Sequence, residues 1–259
     1  MSYQWQTTGA TAAGKKHQRH NEPNQDAFIA EPINQANSSF LIAVADGHGS
    51  APHFRSDIGS QLAVEAAKSA LEWDLNDLGE GRELIEDLVQ IWRQSVQQHL
   101  SKHPIGSPGE NIYFPYGTTL VMVAANADVF LALQLGDGDL VLGYEDGRMF
   151  KPLAPDEGLI GEQTYSLCLD SAEEYAKIWT IRGNQAPWPD FALVATDGVS
   201  KSFVDDEKFV DTVAQYRSIV DSAEQLVATN AALPEWLTAV SEAGSGDDAT
   251  LCFATRRFT

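Results

Sequence analysis

Five short stretches of the chain set an aspartate among small or turn-forming residues at the edge of an apolar run. They are NQDAF (Asp26), VADGHG (Asp46), QLGDGD (Asp137 and Asp139), VATDGVS (Asp197) and SGDDATLCF (Asp247 and Asp248). One such aspartate is an ordinary turn residue. Five, at the ends of apolar strands from across the chain, suggest carboxylates converging on one edge of a β-sandwich. Carboxylates gathered that closely raise each other's pKa, and a hard divalent cation relieves the repulsion. Oxygen-only donors favour Mg2+ or Mn2+ over zinc, and the six histidines show no zinc-ligand spacing with the cysteines. Two such cations about 3.5–4 Å apart lower the pKa of a shared water and stabilise in-line displacement at phosphorus. Within VADGHG, Gly47 has no side chain to keep a metal or substrate oxygen from its backbone. His48, two residues from Asp46, is placed by sequence for general acid work. Read alone, VADGHGS is a tight turn; the other four motifs shift it toward chemistry.

Strand ends must carry these acids. YQWQTTGAT reads as a strand, and DAFIAEPIN and SSFLIAVAD as two more, with QAN as the turn between them. The period then changes. Ile58, Leu62, Ala63, Ala66, Ala70 and Trp73 recur at helical spacing, as do Leu84, Leu88, Trp92, Val96 and Leu100, widened by Ile85 and Val89. NDLGEGR joins these helices, and SKHPIGSPGENIYFPYG reads as a loop. Strands GTTLVMVAAN, VFLALQLG, DLVLGYE and RMFKPL follow, with NAD, DGD and EDG as hairpin-type connections. The stretch 154–189 is less periodic, and FALVATDG is a buried strand. Asp205 or Asp206 caps a helix carrying Phe209, Val210 and Val213. One or two further helices span about Ser222 to Glu242, interrupted near Pro234, and ATLCFATRR closes the chain as a strand. Strands, helices, strands, helices, strand is not a regular βα alternation. It predicts an α+β fold, two packed antiparallel sheets with helices on their outer faces. No linker divides 1–259, which reads as one domain.

Composition narrows the partners. With 37 acidic against 17 basic residues, a formal charge of −20, the surface repels phosphate backbones and anionic lipid, so neither nucleic acid nor membrane is expected. Two cysteines, Cys168 and Cys252, make no disulfide framework and fit a reducing setting. MSYQWQTTGATAAGKK lacks a signal-peptide pattern, and the expected location is cytoplasmic. GATAAGKK nearly matches a phosphate-binding loop, but Lys16 stands where a hydroxyl is required and no long helix pattern follows. DGDLVLGYEDG lacks the closing glutamate and flanking helices of a calcium loop.

The motifs QDAF, VADGHGS, GTT, LGDGD, ATDG and GDDATL, in this order, resemble the metal-dependent type 2C protein serine/threonine phosphatase family, most of all its bacterial branch with Gln-Asp in the first motif. The resemblance implies a four-layer αββα fold, a central antiparallel β-sandwich flanked by helix pairs, with two Mg2+ or Mn2+ ions at one end. Asp46 would bridge both ions and Gly47 would add its carbonyl. Asp197 and Asp247 would hold the first ion, Asp247 because it stands three residues before Thr250. Asp26 would act near the second ion through water, and Asp137 with Asp197 would match a weaker third site. His48 would protonate the leaving oxygen, and Thr119 would place a hydroxyl near the centre, with Gln25, Gly198 and Asp248 in supporting positions.

The activity implied is hydrolysis of phosphoserine or phosphothreonine in proteins by direct attack of a metal-bound hydroxide, without a phosphoenzyme. A monomer opposing a Ser/Thr kinase is expected. The residues agree to this extent: there are acids for metals and no obvious Cys or Ser nucleophile motif. Two departures stand out. Gln25 replaces the family's frequent glutamate and loses its charge, which would weaken the second ion. Asn21 stands where many members carry a phosphate-gripping arginine; His17, Arg19 and His20 are near enough to take over, and Arg19 is preferred for its bidentate fork. DEGLIGEQTYSLCLD, within 154–189, would correspond to a variable flap beside the site. The alternative is the same fold with little turnover, acting as a phosphoprotein-binding or regulatory module; hydrolysis of a small phosphate ester is a third reading.

Overall fold

The computed structural model describes residues 3–33, 38–71, 81–106, 109–156, 164–183, 185, 187–220 and 223–258. Along the chain run β1 (Tyr3–Ala12), α1 (Lys15–His20), β2 (Ala27–Glu31), β3 (Phe40–Ala45), α2 (Ser56–Ala70) and α3 (Arg82–Lys102). Next come β4 (Leu120–Ala125), β5 (Val129–Leu135), β6 (Asp139–Gly143), β7 (Met149–Phe150), α4 (Ala172–Tyr175) and β8 (Lys177–Arg182). The chain continues through β9 (Phe191–Ala195), α5 (Asp197–Ser200), α6 (Asp206–Ile219), α7 (Ala223–Ala243) and β10 (Ala249–Phe258).

Strand β3 shows why the layers form. All six of its residues are buried, and successive side chains point to opposite faces. Leu41, Ala43 and Ala45 pack against α2 and α3, where Leu84, Leu88, Trp92 and Val96 present the predicted stripe. Phe40, Ile42 and Val44 turn the other way, onto Val121, Phe130, Leu140, Val194 and Cys252. The strands divide into two five-stranded antiparallel sheets, in the orders β1-β10-β9-β6-β7 and β2-β3-β4-β5-β8. The first sheet buries Phe191, Leu193, Leu251 and Phe253 beneath Phe209, Val213, Leu233 and Leu237 of α6 and α7. The result is the predicted four-layer αββα sandwich. No helix among the described residues is long and apolar enough to cross a membrane.

Two expectations are corrected. DGD is not a hairpin: β5 pairs with β4 and β8, whereas β6 pairs with β7 and β9. The loop therefore crosses from one sheet to the other. NAD and EDG do join paired neighbours, β4 with β5 and β6 with β7. Pro234 does not interrupt its helix, and α7 runs through it. The proline costs about 3 kcal/mol, which burial of Leu226, Leu233 and Leu237, at about 1.5–3 kcal/mol each, outweighs. Within 154–189 lies a strand that periodicity does not reveal: β8 is an edge strand with every side chain half-buried, so its pattern does not alternate. Short helix α1 also forms, capped at Asn21 in the left-handed region (φ 54°). Of the two candidate caps, Asp205 serves α6, accepting from the Lys208 N–H at 2.8 Å. The QAN turn, Trp73, most of NDLGEGR and residues 157–163 of the expected flap lie outside the described residues.

Candidate metal centre

Register brings the acids to one end of the sandwich. Ala27 lies opposite Ala45, so Asp26 and Asp46 leave β2 and β3 side by side. On the other sheet, Ala195 lies opposite both Leu251 and Asp139, which sets Asp197, the Asp247–Asp248 pair and the β5–β6 crossing at the same edge. The Thr196 hydroxyl donates to Asp26 Oδ2 at 2.8 Å and ties the two sheets together. Asp139 is drawn aside, paired with Lys151 at 2.5 Å.

The backbone around Asp46 is clamped. The Thr119 N–H and the Thr118 hydroxyl both donate to its carbonyl (2.9 and 2.8 Å), and its own N–H donates to Thr119 Oγ1 (3.1 Å). The Gly47 N–H donates to the Gln25 carbonyl at 3.2 Å. A Cβ on Gly47 would stand 2.7 Å from the carbonyl oxygens of both Gln25 and Ser56, so only glycine fits there. Gly198 is held the same way, against the Asp248 carbonyl. Thr119 thus supports the site through its hydroxyl contact with the Asp46 backbone. The Gln25 side-chain oxygen accepts from the Ser56 hydroxyl at 2.9 Å and joins β2 to the start of α2.

These residues open onto a cleft of about 850 Å³ lined by Asp46, Gly47, Asp137, Asp197 and Asp247 together with Lys16, His17, His48, His53 and Lys201. Burial, then neighbouring carboxylates, pushes Asp46 well above its ordinary pKa. Asp26 is raised well above its own chiefly by burial, and Asp197 by burial and by Asp137. Burial raises Asp137 too, but the Lys201 ammonium, together with the Thr164 hydroxyl and the backbone N–H of Asp137, makes the net shift downward. Lys201 donates to Asp137 Oδ2 at 3.2 Å and makes a short hydrogen bond to Asp197 Oδ2. Burial, then the adjacent His53, holds His48 down at about 4, against the pull of Asp137.

Behind the cleft lies a second network. Asp248, 3% exposed, accepts from the N–H groups of Gly14 and Gln25 and pairs with His17 Nδ1, all at 2.7 Å. His17 Nε2 stands 4.0 Å from Asp247 Oδ1, and Lys16 donates to Asp247 Oδ2 at 3.3 Å. Arg19, expected as the phosphate grip, is exposed and outside the cleft lining. At about 100° per residue, Arg19 lies some 200° around α1 from His17, whereas Lys16, His17 and His20 all line the cleft. Lys201 and His53 were not anticipated. The one sequence signal for Lys201 was its position four residues after Asp197, within reach on a helical turn.

Among the described residues, no group of three or more His, Cys, Asp or Glu side chains is drawn tightly enough to hold a metal ion. Two features account for the spread: Lys201 holds Asp137 and Asp197, and Asp247 turns to Lys16 and His17. The donor set nevertheless fits hard divalent cations. It consists of carboxylates, of which Asp26, Asp46 and Asp197 are raised by burial and by neighbouring acids, and one oxygen, Asp26 Oδ1, is buried with no hydrogen-bond partner.

A protein-family model described as Protein phosphatase 2C matches residues 13–238, and the chain belongs to that family. The fold recurs in solved structures of low sequence identity. A bacterial serine phosphatase is similar at a TM-score of 0.64 and 16% identity, covering 96% of this chain and 97% of that one. The catalytic domain of the serine threonine protein phosphatase PstP, in complex with two manganese ions, gives 0.62 and 15% over 99% and 100% of the two chains. Serine/threonine phosphatase Stp1 from Staphylococcus aureus gives 0.62 and 16% over 96% and 94%. No curated protein sequence matches the chain.

Proposed function

We propose that this chain is an active, metal-dependent phosphatase that hydrolyses phosphoserine and phosphothreonine in proteins. The observation that carries the reading is the meeting of Asp26, Asp46, Asp137 and Asp197 at one sandwich end, where burial and neighbouring carboxylates raise Asp26, Asp46 and Asp197. Asp46, Asp197, Asp247 and the Gly47 carbonyl would hold Mg2+ or Mn2+, with Asp26 close by. When bound, such ions supply an acidified water and offset the charge of the phosphate.

The remaining tasks fall to the chain's own side chains. His48 is neutral as it stands, lowered to about 4 by burial and by His53. The negative charge of an arriving phosphate monoester favours the imidazolium, in which form His48 would supply the proton needed by the leaving serine or threonine oxygen. Lys16 and His17 line the cleft and can meet phosphate oxygens. Asp248 fixes His17 through Nδ1 and leaves Nε2 toward the cleft. The clamp of Thr118 and Thr119 on the Asp46 backbone keeps that carboxylate in place. We read the chain as one catalytic domain acting as a monomer against a Ser/Thr kinase; of the expected flap 154–189, Lys177–Arg182 belongs to the second sheet as β8.

The test is phosphate release from a phosphothreonine peptide by chelator-treated protein, with and without Mn2+. Metal-dependent release that is lost in Asp46→Asn and Asp197→Asn is expected. No release, with tight retention of the phosphopeptide, would make the chain a binding module instead. Faster turnover of small phosphate esters than of any phosphopeptide would overturn the substrate class.

A further inference from the structure

Lys201 follows the last turn of α5 and is anchored there, its N–H donating to the Asp197 carbonyl at 2.8 Å. Its side chain folds back over that turn. The ammonium meets two carboxylates from separate segments: Asp197, after β9, and Asp137, in the crossing from β5 to β6. Among the described residues, no other basic side chain is ion-paired with either acid. The side chain is not a buried strut. It is 55% exposed and lines the cleft, whereas Asp197 is only 19% exposed and Asp137 35%. A single exposed cation thus closes a pair of oxygen donors at the wall of a centre built of carboxylates.

An ammonium and a divalent ion compete for such a place. Both need the same carboxylate oxygens, and their like charges repel. We propose that the Lys201 ammonium is a built-in counter-cation: it fills the position between Asp137 and Asp197 that a further divalent ion would otherwise take, and so sets how many ions the centre binds. The proposal rests on the reading of Asp197 as a ligand of the centre. On this proposal Lys201 makes Asp137 a partner of the protein rather than of a metal, in place of the expected third site formed by Asp137 and Asp197. It also holds Asp197 toward the cleft before any ion arrives.

The test counts bound metal. Chelator-treated wild type, Lys201→Met, Lys201→Arg and the double variant Lys201→Met/Asp137→Asn are titrated with Mn2+. The paramagnetic signal of free Mn2+ gives the ions bound per chain, and circular dichroism checks folding. The expected result is one more ion in Lys201→Met than in wild type, no change in Lys201→Arg, and return to the wild-type number in the double variant. Equal numbers in wild type and Lys201→Met overturn the proposal. Should Lys201→Met not fold, Lys201→Gln is counted in its place by the same criterion. Crystals soaked in Mn2+ locate the ion. An anomalous peak between Asp137 and Asp197 is expected in the variant only, and such a peak in wild type, with Lys201 displaced, also overturns the proposal. A wild type that binds no Mn2+ at all defeats the two-ion reading of the centre, while the difference between the two proteins still decides the role of Lys201.

Discussion

Asp247 and Asp248 are neighbours in sequence with opposite surroundings, and replacing each by alanine should separate a ligand from a structural anchor. Asp248 is 3% exposed, and its two oxygens meet the Gly14 N–H, the Gln25 N–H and His17 Nδ1, each at 2.7 Å. A hydrogen bond to a charged group contributes about 1.5–3 kcal/mol. Three bonds sharing one carboxylate do not add in full, and Asp248→Ala leaves two buried backbone donors and a histidine without their acceptor. The expected loss is about 3–5 kcal/mol, a large part of the stability of an ordinary domain. The Asp247 side chain is 42% exposed, and its partner Lys16 59% exposed at 3.3 Å. A pair so open to solvent contributes at most about 1 kcal/mol, so Asp247→Ala should leave stability nearly unchanged and weaken Mn2+ binding instead. Urea unfolding of both variants in chelator measures the difference as a shift in midpoint at constant m, with ligand linkage removed. If Asp248→Ala lies within about 1 kcal/mol of wild type, or Asp247→Ala costs as much as Asp248→Ala, the division of labour is refuted.

Gly47→Ala should force a methyl group against two backbone carbonyls now 2.7 Å from its Cβ position. Overpacking of this kind costs about 1–3 kcal/mol, and a thermal melt should fall by about 2–4 °C for each kcal/mol; an unchanged melting temperature would show that the strand ends can part freely. Pro234→Ala should do the reverse and raise the melting temperature, because the residue lies inside α7 and proline costs about 3 kcal/mol there. A fall would mean that the ring itself packs favourably.

The strand residues show which parts of the fold were legible. In β3, β4, β9 and β10 the alternation of side chains sorts each residue to one of two faces, and the structure buries them in those two sets. The α3 stripe of Leu84, Leu88, Trp92 and Val96 is likewise buried as its period requires. β8 was illegible because an edge strand half-buried on both faces carries no alternation. The continuity of α7 was illegible because a local signal, Pro234, is overruled by leucines whose burial depends on a sheet formed elsewhere.

The candidate site divides along the same line. That Asp26, Asp46, Asp137, Asp197 and Asp247 flank apolar strands is a property of short segments, and the sequence by itself determined it, together with the hard-oxygen chemistry they offer. Which carboxylates meet, and through what, was decided only by tertiary structure. The β5–β6 loop crosses between sheets and carries Asp137 to the Lys201 ammonium, 64 residues away. His17 turns to Asp248 across 231 residues while Arg19, two positions along the same helix, faces solvent. Periodicity and turn chemistry act over a few residues, whereas charge pairing across a cleft depends on which strand ends the sheets align.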